Sequence, residues 1–475
     1  MPKSKITNNS KFINLVNSLN LIEKRDLEKF LLLSSFGITN RDRDLFKQLQ
    51  KKIEIHKNID EEKFWKSVLS ESEYSNKNRI KSRLFKAIEN YICLLEIRKN
   101  DGIRMYLLTT FYFRNNLISN LKNALNKGIR KLSSLKDTKP DYRIILYWFH
   151  ENMVFITKDI RQESIHINGM EEELSEFYAI NKLRIICEKI NRSEILNSGK
   201  DVSSYHEEVD HLRLSSNSIY ANIYFHLYQL LSEDQYSSFN IVNNEIRKLD
   251  KTSNLGQIKE VYVHLMNYCI RKINERKLEY AEQFINYSKF LDSNNILLDQ
   301  KMMSIGRLKN ILVGCYIIDN IEWASYIMDK YSDCWQETKD INRRDFLSLN
   351  KAFLALWRND FEKSMDFIHQ FQSSSMYHKD VYYKMACDKL LLKIFFEKGE
   401  YESLDNKIFV LIGYIRNREK LSQKRKTPNL RFLYLLDKIN RGKIVDIEGE
   451  KENIPIADYI WLKKVYHRNN KITSS

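Results

Sequence analysis

The sequence predicts an all-α fold, a helical-repeat solenoid whose helix pairs recur about every forty residues behind an N-terminal helical module. Three observations carry the prediction. Apolar residues return at helical spacing almost throughout, as in Ile80, Leu84, Ile88, Ile92 and Leu95. No stretch shows sustained apolar-polar alternation bounded by turn dipeptides, so strands are not expected. Four segments share one pattern, a large apolar residue, Glu, any residue, then usually a small one: Leu278-Glu279-Tyr280-Ala281, Ile321-Glu322-Trp323-Ala324, Phe361-Glu362-Lys363-Ser364 and Tyr401-Glu402-Ser403-Leu404. Their first residues stand 43, 40 and 40 positions apart, which is an internal repeat.

The elements follow in order. A module of about five helices is expected from Lys11 to Asn100, closed by the turn Lys99-Asn100-Asp101-Gly102, giving a first domain at 1–100. Irregular helix pairs fill 101–235, interrupted at Pro140 and along the polar stretch Asn191 to Ser204. The repeats occupy 236–441, and a C-terminal capping helix occupies 442–475. Each signature follows a short polar break, namely Asn274-Glu275-Arg276, Asp319-Asn320, Arg358-Asn359-Asp360 and Lys398-Gly399-Glu400, where one helix of a pair should end and the next begin. The large residue is expected to wedge into the turn. The Glu favours the positive end of the second helix, and the small residue lets the first helix approach closely.

Composition agrees with a continuous stack. With 475 residues but only 4 Pro and 12 Gly, flexible linkers are hard to place, while 27 Tyr and 24 Phe can fill many helix interfaces. The net charge of +16 points to nucleic acid, an anionic surface or an acidic partner, although the accompanying wealth of Asn, Ile, Tyr and Phe is also what compositional bias produces. Cys93, Cys187, Cys269, Cys315, Cys334 and Cys387 form no CxxC pair and read as small core residues of a reducing, cytoplasmic compartment. The longest apolar run, Ile311 to Ile318, is too short to span a bilayer, and residues 1–20 show no export signal, so no membrane insertion is expected.

The junctions resemble the tetratricopeptide repeat (TPR), whose second helix opens with Gly, an aromatic two positions later and Ala three beyond that. Gly399 and Tyr401 match the first two positions, and Ala281 and Ala324 match the alanine. The match departs at Ser364 and Leu404, in the absent terminal proline, and in a spacing longer than the usual 34 or so residues, which longer helices explain. At whole-chain level the sequence is similar to long-helix, TPR-like proteins common in Bacteroidota. The residues that carry this are Asp380 to Ala386, Lys389 to Tyr401, Tyr414 to Arg418 and, more weakly, Phe30 to Phe36 with Leu45-Phe46. The resemblance implies a fold and no particular activity.

Motifs for chemistry are sparse. His206-Glu207-Glu208-Val209-Asp210-His211 separates its imidazoles by five positions where a helical zinc pair needs four. His226, His264 and His369 sit within apolar-periodic helices, where a packing role is the commoner one. No glycine loop is set up to cradle a phosphate, and no nucleophile elbow is present. The sequence thus reads as a non-enzymatic protein without metal or cofactor.

Three candidate interaction sites remain. Eleven residues before each signature lie Asn267, Asn310 and Asn350, with Leu390 breaking the column; on the groove side of a helix array, with aromatics such as Tyr268 and Phe353 nearby, such asparagines can bond an extended peptide backbone. A basic patch, Lys407, Arg416, Arg418, Lys420, Lys424, Arg425 and Lys426, gathers around a helix end and the loop ahead of Pro428. In the N-terminal module, Phe64 to Leu69 followed by Lys77, Arg79, Lys81, Arg83 and Lys86 has the look of a helix-turn-helix with a basic second helix. The leading expectation is a scaffold that holds a peptide or protein partner in its concave groove. The alternative is a nucleic-acid-associated regulator that uses the basic N-terminal module.

Overall fold

The computed structural model describes residues 11–32, 38–55, 60–157, 160–196, 205–249, 255–299, 303–336, 341–419 and 421–473. The chain is all-helical, 81% helix with no strand among the described residues, in 24 helices. None of them is long and apolar enough to cross a membrane. By packing, the chain divides into two units, Met1–Ile180 with Ser215–Ser218, and Asn181–Leu214 with Ile219–Ser475.

The N-terminal residues form α1 (Lys11–Asn17), α2 (Leu21–Phe30), α3 (Asn40–Ile55), α4 (Glu61–Val68), α5 (Glu71–Ser75) and α6 (Lys77–Lys99). That is six helices where sequence periodicity suggests five. The extra one, α5, is too short to show a period and is set off by a capping box: Ser70 accepts from the Glu73 amide while Glu73 accepts from the Ser70 amide. One core joins these helices around Phe12, Leu27, Phe46, Phe64, Trp65, Leu84 and Ile88. Each such side chain contributes roughly 1.5–3 kcal/mol on leaving water. Next come α7 (Asp101–Arg114), α8 (Ile118–Ser133), α9 (Tyr142–Ile156) and α10 (Ile160–Leu196). Pro140 lies in the turn between α8 and α9, as its missing N–H dictates. Asn191 does not break the chain as its polar surroundings suggest. α10 runs through it to Leu196, because the buried Asn191 amide is satisfied by accepting a bond from Asn267 at 3.1 Å. The rest of that expected interruption, 197–204, lies outside the described residues.

The second unit continues through α11 (His206–Leu214), α12 (Ile219–Ser232), α13 (Tyr236–Lys248), α14 (Leu255–Asn274), α15 (Tyr280–Ser293), α16 (Ile305–Ile317), α17 (Ile321–Gln336), α18 (Ile341–Trp357), α19 (Phe361–Gln372), α20 (Ser375–Lys379), α21 (Val381–Lys398), α22 (Tyr401–Arg416), α23 (Gln423–Asn440) and α24 (Ile456–Thr473). From α12 onward most helices pack on their sequence neighbours. In addition α16 touches α18, α18 touches α21, and α24 returns to α16 and α23.

The helix junctions are built alike. The residue two positions before the start of each following segment is left-handed: Asp234 (φ 57°), Arg276 (φ 69°), Asp319 (φ 54°), Asn359 (φ 59°) and Gly399 (φ 73°). At four of them an amide just beyond the helix turns back five residues, for example Asn320 to the Cys315 carbonyl at 2.9 Å and Glu400 to the Phe395 carbonyl at 2.9 Å. These are Schellman-type stops, which need φ > 0 and so favour Gly, Asn and Asp. Arg276 is the exception in residue type. The small residues behave as their spacing implies: Ala281, Ala324 and Ser364 are fully buried, and the Ser364 hydroxyl donates to the Ala352 carbonyl across the α18–α19 interface at 2.8 Å. The large residues wedge less well than expected. Leu278, Ile321 and Phe361 are half-buried, while Tyr401 is 57% exposed because Leu404 already fills the contact against α21.

Candidate functional site

Within the second unit, α16, α18, α21 and α23 surround a cavity of about 490 Å³, lined along one side by the segment 454–458, which includes the first turn of α24. Its apolar walls are Leu312, Val313, Phe346, Leu349, Phe353, Tyr383 and Leu390. Its polar lining is lopsided in charge. Arg276, Lys309, Lys389, Lys393 and Arg425 face it, against the single carboxylate of Asp458.

That carboxylate is already committed. Lys389 Nζ donates to Asp458 Oδ2 at 2.5 Å, Lys393 Nζ reaches Oδ1 at 2.8 Å, and Lys389 also donates to Asn429 Oδ1 at 2.8 Å. Burial pushes the Asp458 carboxyl up, but the two lysines outweigh it and hold it down at about 2. Lys393, fully enclosed, is lowered by burial in spite of Asp458. Among the described residues the other three cations have no carboxylate within ion-pair reach. Arg276 donates to the Ile454 carbonyl, and Arg425 lies over the Tyr382 ring at 4.3 Å. Lys309 and Arg425 are both exposed side chains, and the Lys309 ammonium is lowered by the protein packed around it and then by the neighbouring charges of Lys389 and Arg425.

Two local features put cations here against helix preference. The left-handed position at 276 costs a long L side chain about 1 kcal/mol that Asn or Gly would avoid. Arg425 stands in the first turn of α23, where the positive helix end disfavours a cation by roughly 0.3–1 kcal/mol. From the sequence, Arg425 is expected in a loop before Pro428. Instead α23 starts at Gln423 and carries Pro428 in its second turn, where a residue without an N–H forfeits one helical bond.

Of the three asparagines, Asn310 and Asn350 line the cavity beside Leu390, the residue that broke their column. Asn350 is buried and bonds the Phe346 carbonyl of its own helix at 2.8 Å. Asn267 faces Asn191, and neither lines this cavity. Of the nearby aromatics, Phe353 lines the cavity and Tyr268 instead donates to Asp234 at 2.9 Å. The basic patch disperses. Lys407 pairs with the buried Asp388 at 2.8 Å, Arg416 meets the Tyr434 hydroxyl at 2.5 Å, Arg418 lies over Tyr414 at 4.5 Å, and Lys426 donates to the Arg416 carbonyl at 3.1 Å. Only Arg425 turns to the cavity, while Lys420 and the side chain of Lys424 lie outside the described residues. Lys309, Lys389 and Lys393 were missed by sequence reasoning. A signal existed, since Lys309 and Lys389 each immediately precede a column position, at Asn310 and Leu390.

On α6, three of the five cations are spent internally: Lys77 on Glu62 at 2.8 Å, Lys81 on Glu61 at 2.7 Å and Arg83 on the buried Asp42 at 2.9 Å. A larger cavity of about 930 Å³ between α10, α14 and α16 gathers five cations and three carboxylates; four of the five are paired, through Arg184–Glu260, Arg192–Glu188 and the pairing of Lys259 and Arg307 with Asp299, while Lys189 lies over the Tyr205 ring. His264 borders it, buried and lowered by that burial. His206 faces the Tyr228 hydroxyl at 2.9 Å, and no group of three metal-ligating side chains occurs among the described residues. Cys187, Cys269, Cys315 and Cys387 are buried free thiols, with Cys315 and Cys387 pushed up to about 12, mainly by burial. Cys93 is exposed, and the side chain of Cys334 lies outside the described residues. No family, no curated protein and no solved structure matches the chain.

Proposed function

We propose that the chain is a cytoplasmic, non-enzymatic scaffold, an α-solenoid of TPR-like helix pairs that holds a protein or peptide partner along the inner faces of its first-of-pair helices. The observation that carries the reading is the recurrence of left-handed junctions at 234, 276, 319, 359 and 399, steps of 42, 43, 40 and 40 residues. On this reading the repeated stops put α14, α16, α18 and α21 in equivalent places of the array. The contacts of α16 with α18 and of α18 with α21 are what such an array requires, and both cavities open between these helices. The polar and aromatic lining suits a partner segment that brings apolar side chains and hydrogen-bonding groups.

The nucleic-acid alternative finds less support, because the cations of α6 are largely paired with carboxylates. Phosphate binding there must break those pairs.

Affinity capture from the native host, with the wild-type chain and with Asn310→Trp, tests the scaffold reading. The bulky indole fills the cavity between α16 and α18. A protein held by the wild type and lost by a normally helical variant is the expected result. Equal capture by both removes the groove from the account.

A further inference from the structure

We infer that the cavity between α16, α18, α21 and α23 is a binding site for a small anionic ligand, an oxyanion carried on a flat apolar body, held by Lys309, Arg425 and Arg276 over the Phe346–Phe353 wall. The inference stands on the cavity alone and goes beyond the scaffold reading, since it holds whether or not a protein partner lies along the array.

Size is the first argument. About 490 Å³ lies in the range of small-molecule sites, roughly 300–1,000 Å³, and the segment 454–458 lines one side. The bonds that hold this segment in place are specific: Arg276 to the Ile454 carbonyl, and Lys389 with Lys393 to Asp458.

Charge is the second. Cations in proteins normally converge where carboxylates meet them, as Lys77, Lys81 and Arg83 do on α6 and as four of the five cations of the larger cavity do. Here five cations face one carboxylate, and three of the five have no acidic partner among the described residues. Like charges gathered in a concave, partly apolar site raise its free energy until an anion enters. Desolvation is the larger cause of the lowered Lys309 ammonium, and the charges of Lys389 and Arg425 add to it.

Chemistry sets the ligand class. Guanidinium and ammonium donors, with the Asn310 amide beside them, suit carboxylate or phosphate oxygens. The aromatic and aliphatic wall suits a flat apolar body more than a bare ion. Carboxylates and phosphomonoesters share this chemistry.

Calorimetry on the full chain tests the inference, with phenyl phosphate, benzoate, inorganic phosphate and the neutral benzyl alcohol as probes, on wild type and on the Lys309→Gln/Arg425→Gln variant. Neither residue holds a carboxylate that its loss would strand, and circular dichroism checks the fold. Phenyl phosphate or benzoate should bind the wild type, and whichever binds tighter identifies the oxyanion. The variant should weaken that binding by about tenfold or more. Binding should also weaken as pH rises toward the lowered Lys309 value, earlier than an ordinary lysine near 10.4 or so would allow, and an entering anion should take up protons. Equal affinity for benzyl alcohol, equal affinity for inorganic phosphate, unchanged affinity in the variant, or no binding of either aromatic anion overturns the inference. None of these outcomes touches capture of a protein partner, so the scaffold reading is judged separately.

Discussion

α6 and the α16–α21–α23 cavity draw on the same excess of Lys and Arg and use it in opposite ways. On α6, Lys77, Lys81 and Arg83 meet Glu62, Glu61 and Asp42, so the basic face is a folding device that ties α6 to α3 and α4. In the cavity, Arg276, Lys309, Lys389, Lys393 and Arg425 share Asp458 alone. The contrast teaches that a net charge of +16 is not itself a site. What matters is which cations the fold leaves without a carboxylate, in a place shaped to admit one.

The largest expected effect probes the carboxylate on each side of the comparison. Asp458→Asn strands Lys393, whose side chain is only 5% exposed, and should cost on the order of 3–5 kcal/mol in urea unfolding. Asp42→Asn loses its pair with Arg83, a third exposed and able to turn to water, and keeps an oxygen for the Thr39 amide, so about 1 kcal/mol is expected. Similar losses at the two sites erase the distinction between a fully enclosed pair and one whose cation reaches water.

A smaller effect follows from pH. Because Asp458 is held at about 2, below the ordinary carboxylate value near 3.9, its contribution is complete above pH ~4 and is lost as pH falls through about 2. The loss should be on the order of 2 kcal/mol in acid unfolding of the wild type, and Asp458→Asn should lack it. An acid limb that survives in the variant assigns the effect to other carboxylates.

How much of this was legible in the sequence differs between fold and site. The helical class followed from period 3.6, and the helix ends at Ile317, Trp357 and Lys398 fell at the polar breaks because Asn, Asp and Gly are the residues that tolerate φ > 0. Arg276 gave no such signal, since an arginine in that conformation is set by its bond to Ile454, 178 positions away. For the same reason Asn310, Asn350 and Arg425 fell into two unrelated candidates: nothing local announces that α23 and the approach to α24 fold back over α16 and α21. Asn267 kept the right spacing and the wrong surroundings, because α10 extends far enough to bring Asn191 against it.

The two basic regions differ most in where an anion goes when the whole surface is offered to it. A crystal of the full chain soaked in bromide, read by anomalous scattering, decides this directly. The expected result is a peak between Lys309 and Arg425 with no peak of comparable height along Lys77, Lys81 and Arg83. Peaks along α6 with an empty cavity contradict it.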